Sequence, residues 1–146
     1  VDVLTVNDEE ARQLSGERSL VKAAAAIHKM GPKYLVIKKG EHGALLFYED
    51  QIFFAPGLPV ADVLDPTGAG DSFAGGMIGY LAQTDDISFS NMKTAIIYGS
   101  VMASFCVEGF SLSKLKNLTQ NEIYARIHQF ENLSTFDVKE LAVLNS

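Results

Sequence analysis

Tryptophan, cysteine, histidine and long unbroken hydrophobic runs are what this chain has least of. Its 146 residues contain no tryptophan, three histidines and one cysteine, Cys106. A single thiol excludes an internal disulfide and suits a reducing cytoplasm. His28 and His128 stand alone in helical stretches, without metal-ligand spacing to another His or Cys, and His42 reads as a surface residue in a turn. Apolar stretches are broken every few residues by Lys, Gly or Asp, well short of the roughly 20 residues that span a membrane. No charged-then-apolar leader opens the chain, so no signal peptide is expected. Proline is scarce, at 4 residues, while 47% of residues are hydrophobic and 21% charged, which excludes disorder and low complexity. A net charge of −6 argues against non-specific binding to nucleic acid or to anionic membranes.

What is present reads as alternating strand and helix in one domain over 1–146. The opening run VDVLTV, at positions 1–6, looks like a buried strand that begins without an initiator Met, which suggests part of a longer enzyme. Asn7 can cap a helix reaching about Leu14, and Ser15-Gly16-Glu17 breaks it. A second helix is expected over 20–30, between Ser19 and Gly31-Pro32. The β-branched and aromatic run at 34–37 follows as a strand, completing a βαβ unit with parallel pairing. A tight turn, Gly40-Glu41-His42-Gly43, leads into two hairpin strands at 44–48 and 51–55, and 60–64 is a further candidate strand. Helices follow at about 70–83, 90–108 and 120–131, with Ser90 capping the second and Thr119 with Glu122 forming a capping box for the third.

The stretch Asp65-Pro66-Thr67-Gly68-Ala69-Gly70-Asp71-Ser72-Phe73 carries the chemistry. It stands between a candidate strand and a candidate helix. Two glycines around an alanine let backbone N–H groups face one point with no side chain overhanging them. At a helix N-terminus such donors and the macrodipole favour an anion, and they suit the charge that develops in phosphoryl transfer. A carboxylate at Asp71 repels that anion unless it has work to do there. Serving as the base for an acceptor hydroxyl is one such role; simple helix capping is the other. A P-loop is excluded because no Lys follows the glycines, and a dinucleotide fingerprint is excluded because Phe73 stands where its last glycine belongs.

These residues resemble the signature of the ribokinase-like (PfkB) carbohydrate kinase family, D-T-x-G-A-G-D followed by a small or hydroxyl residue and Phe. Pro66 departs from it by replacing the usual Thr. The resemblance implies that Gly68, Ala69 and Gly70 form an anion hole and that Asp71 is the catalytic base. Asn7-Asp8-Glu9-Glu10 is similar to the family's N-x-x-E motif, which would assign Asn7 and Glu10 to magnesium through water; the same spacing also makes a capping box. Lys39-Gly40-Glu41-His42-Gly43 resembles the turn beside the nucleotide phosphates, implicating Lys39, Gly40 and Gly43 together with Gly70. Relatives often carry a hydroxyl residue before this turn, where Lys38 and Lys39 stand here. For Lys39 a solvated turn is the alternative. Some members hold a monovalent cation, potassium, at the positions of Asp65 and Thr67.

The resemblance covers 1–109, with a helical tail, and only the second half of the family's domain. It implies the C-terminal half of a three-layer α/β/α sandwich: a βαβ unit, hairpin strands, then helices. It further implies ATP and magnesium as cofactors, and phosphotransfer to a hydroxyl of a sugar or nucleoside. Without the substrate-binding half, a non-catalytic nucleotide-binding module is the alternative, and a fragment that binds nothing is the third. An exposed sheet edge predicts a homodimer. The apolar, small-residue run at 95–103 would flank the adenine, or serve helix packing equally well.

Overall fold

The structure is a computed structural model describing residues 2–59, 68–109 and 112–141. Strand β1 (Val3–Asn7) is followed by α1 (Asp8–Ser15), α2 (Leu20–His28) and β2 (Tyr34–Lys38). A short 3-10 turn (Gly40–His42) precedes β3 (Ala44–Tyr48) and β4 (Gln51–Ala55). Four helices complete the chain: α3 (Ala69–Thr84), α4 (Phe89–Val107), α5 (Leu112–Lys116) and α6 (Gln120–Ser134). The strands form one sheet in the order β1-β2-β3-β4, with β1 parallel to β2 and the other pairs antiparallel. The expected strand at 60–64 falls outside the described residues.

Helices cover both faces of the sheet, as the pleat of β2 makes plain. Tyr34 and Val36 point into a cluster with Leu46, Phe73, Met77, Met92 and Ile96, which belong to β3, α3 and α4. Leu35 and Ile37 point the other way, onto Ala11, Ala24 and Ile27 of α1 and α2. A strand buried on both faces has no polar side, so β2 reads as a continuous apolar run and not as an alternation. A third cluster, Val101, Phe105 and Phe130, seats α6 on α4. The result is the expected α/β/α arrangement.

Several boundaries differ from expectation. Ser88, not Ser90, caps α4, its hydroxyl accepting from the Asn91 amide at 3.3 Å. Phe89 thereby enters the helix and stacks on Tyr48 of β3. Helix α2 ends at His28, whose Nδ1 lies 3.0 Å from the Pro32 carbonyl oxygen. Helix α5 was not expected, because five residues are too few to show a period.

Candidate active site

Helix α3 starts on a bare glycine. Gly68, its N-cap, has φ +84° and ψ −2°, a left-handed conformation that glycine adopts without a Cβ penalty. No side chain among the described residues caps the helix, and the first helical hydrogen bond runs from Ser72 N to Gly68 O at 2.9 Å. The amides of Ala69, Gly70 and Asp71 therefore precede the helical ladder and have no acceptor among the described residues. Three donors, the positive end of a 16-residue helix and side chains no larger than methyl at 68–70 make a candidate anion cradle.

Asp71 occupies the third helical position, exposed, with no hydrogen-bond or ion-pair partner among the described residues. A carboxylate in the first turn sits favourably in the field of the helix macrodipole. Asp65 and Thr67, the cation candidates, lie outside the described residues.

The position of this helix start is set by packing further along it. Phe73 and Met77, four residues apart, are buried against the sheet. Gly76 meets α4 so closely that a methyl group built on it would stand 2.8 Å from the Tyr98 carbonyl oxygen and 3.1 Å from Gly99 Cα. Tyr98 stacks on Tyr80 with ring centroids 4.5 Å apart. The small-residue run of α4 is thus used in packing against α3.

Opposite the helix start are the carboxyl ends of the parallel strands, where open α/β sheets bind ligands. Asn7, the last residue of β1, pairs in register with Lys38, the last of β2. Asn7 and Glu10 form a reciprocal capping box: Glu10 N donates to Asn7 Oδ1 at 2.7 Å, and Asn7 N donates to Glu10 Oε1 at 2.8 Å. Asn7 Nδ2 and Glu10 Oε2 keep no partner among the described residues, so the cap leaves one polar atom on each side chain for another use. No group of three or more His, Cys, Asp or Glu able to hold a metal occurs among the described residues. That donor set fits magnesium, which keeps much of its water and relies on one or two carboxylates plus substrate phosphates.

Lys38 and Lys39 diverge. A methyl group built on Gly70 would lie 3.3 Å from Lys38 Nζ, so this ammonium stands at the start of α3. The Lys39 ammonium instead lies over the Phe54 ring, 5.4 Å from its centroid. The turn that follows is locked by two glycines. A methyl group on Gly43 (φ +94°) would fall 2.2 Å from the Ala55 carbonyl oxygen, and one on Gly57 would fall 2.0 Å from that of Glu41. Gly43 and Gly57 therefore let the turn press onto the segment leaving β4, whereas a methyl group on Gly40 would meet nothing within 4 Å. By sequence both lysines are candidates for serving a phosphate, with Lys39 assigned to the turn; Lys38 is the one that stands at the start of α3.

Comparison with known proteins bears on this constellation. The profile of the pfkB family carbohydrate kinases matches residues 1–117. The chain belongs to that family. Among curated PfkB relatives, the cytidine kinase of Thermococcus kodakarensis is 39% identical over 80 residues, covering 53% of this chain and 28% of its own length. The bifunctional ribokinase/ribose-5-phosphate isomerase A of Fructilactobacillus sanfranciscensis is 33% identical over 112 residues, covering 73% of this chain and 20% of its own. Aminoimidazole riboside kinase from Salmonella enterica, solved with aminoimidazole riboside and an ATP analog, superposes with a TM-score of 0.73 at 26% identity. That match covers 92% of this chain and 43% of the other. The fold is ribokinase-like, and this chain spans less than half the length of each of these three relatives.

Proposed function

We propose that this chain is the ATP-handling, catalytic part of a kinase that transfers the γ-phosphoryl group of ATP to a hydroxyl of a sugar or nucleoside. One observation carries the reading: three amides at the start of α3 lack acceptors among the described residues, stand beside the ammonium of Lys38 from the end of β2, and are followed directly by a carboxylate, Asp71. In this reading the amides of Ala69, Gly70 and Asp71 hold the charge that grows on the transferring phosphoryl oxygens. Asp71 accepts the proton of the acceptor hydroxyl as its oxygen closes on phosphorus. The Gly40–Gly43 turn borders the nucleotide phosphates. Asn7 and Glu10 orient water around magnesium, which when bound neutralises phosphate charge.

The test is Asp71→Asn in the full-length polypeptide that carries this chain. Turnover should fall by about 10²–10⁴-fold, the usual share of a general base, with nucleotide affinity kept. Undiminished kcat would remove Asp71 from the role. The short span relative to the relatives favours a second reading for residues 1–146 alone: nucleotide binding without turnover. Calorimetric ATP binding with no phosphorylation of D-ribose, D-fructose or cytidine supports it, and turnover by the isolated chain rejects it.

A further inference from the structure

We propose that Lys38 is a catalytic residue whose ammonium contacts the γ-phosphoryl group at the start of α3; this rests on the kinase reading above. Strand geometry and proximity argue it independently. Successive side chains of a strand alternate between faces. Tyr34 and Val36 of β2 face α3 and α4, so Lys38 continues that row beyond the edge of the core. The row ends at the anion cradle, where the Nζ lies 3.3 Å from the point a Gly70 methyl would occupy. Lys38 forms no ion pair among the described residues. Its strand neighbours Asn7 and Ala44 carry no charge, leaving the ammonium without an adjacent counter-ion on the sheet.

A cation fixed by a core strand, next to three amides without acceptors among the described residues, completes a site for a group bearing several negative charges. During transfer, the acceptor oxygen forms its bond to phosphorus while the bond to the bridging oxygen breaks. ADP leaves with that electron pair, and the hydroxyl proton passes to Asp71. Lys38 exchanges no proton; its charge offsets what accumulates on the phosphoryl oxygens. A compact point charge suits phosphate.

The test uses Lys38→Met, Lys38→Thr and Lys38→Arg in the full-length polypeptide, with D-ribose, D-fructose and cytidine as acceptors. Lys38→Met should lower kcat by about 100-fold, the scale of losing one preorganised donor, and Lys38→Arg should recover part of it. Calorimetry reads the same point without turnover. Lys38→Met should weaken ATP by about 10-fold or more, as loss of a charged hydrogen bond does, and leave AMP unchanged. If Lys38→Met proves unfolded, Lys38→Thr carries the same expectations. Unaltered kcat and an unaltered ATP-to-AMP affinity ratio, in an enzyme that Asp71→Asn cripples, overturn the Lys38 assignment alone. A wild-type polypeptide that binds neither nucleotide overturns the kinase reading with it.

Discussion

Adding one methyl group at Gly76 should destabilise the protein, whereas the same addition one residue earlier, at Gly75, should stabilise it. Both lie inside α3, where replacing glycine with alanine removes backbone freedom from the unfolded chain and gains about 0.5–1 kcal/mol. At Gly75 a new Cβ would meet nothing within 4 Å, so the gain stands. At Gly76 it would meet Met102 Cγ and the Tyr98 carbonyl oxygen, each at 2.8 Å, and Gly99 Cα at 3.1 Å. The methionine can turn aside, but two of the three atoms are backbone of α4, and the helices must part by several tenths of an ångström. Overpacking of this kind costs about 1–3 kcal/mol, which outweighs the helix-propensity gain. The two variants should therefore differ by about 2 kcal/mol, or about 4–8 °C in melting temperature for a protein of this size or larger. Thermal melts followed by circular dichroism at 222 nm measure it. Gly76→Ala melting at or above Gly75→Ala would refute the claim that α3 and α4 meet backbone to backbone at this point.

Other perturbations have signs that follow from the same structure. Burial raises the phenol pKa of Tyr34 and Tyr98 above the ordinary 10.0, assisted by Tyr48 for the first and Tyr124 for the second. A raised folded-state value stabilises fully below pH 10 and is lost as pH climbs through that value, so melting temperature should hold to about pH 10 and then fall. Tyr98→Phe should shallow the fall; an unchanged alkaline slope would exclude this tyrosine as a cause. Arg126 joins α6 to α4 by an ion pair with Glu108, a 2.9 Å bond from Nη1 to Ser104 Oγ and stacking 4.1 Å over the Phe105 ring. Arg126→Ala strands the two acceptors and should cost about 1–3 kcal/mol in urea unfolding, while Arg126→Lys should cost less. Equal losses in both would show that the planar guanidinium alone carries the contact, and that a positive charge on a similar stem cannot replace any of it.

Much of the architecture was legible because its signals are local. Asn7 and Thr119 each sit three residues before a glutamate, and both capping boxes form. The β-branched runs became strands, and the apolar run of β2 follows from having helices on both faces. Ser90 misled because Ser88, two residues earlier, offers the same hydroxyl chemistry. The tie was broken by packing, since starting the helix at Phe89 lets that ring stack on Tyr48. A contact between residues 41 apart has no trace in the local pattern.

The candidate site divides along the same line. Glycines at 68 and 70 announce a backbone cradle by composition alone, because a site made of N–H groups is visible as the absence of side chains. Lys38 and Lys39 are indistinguishable by composition, and a familiar motif directs attention to the residue that touches its glycine. Strand alternation distinguishes them. Once the Val36 row is known to face α3, Lys38 must emerge toward the cradle, and Lys39, one residue on, leaves the strand and settles over Phe54. What the sequence lacked was which face of β2 α3 would cover, and that depends on a helix more than thirty residues downstream packing its Phe73 and Met77 against Val36 and Leu46. The position of a charge at this site is therefore a consequence of core packing, read through the two-residue period of one strand.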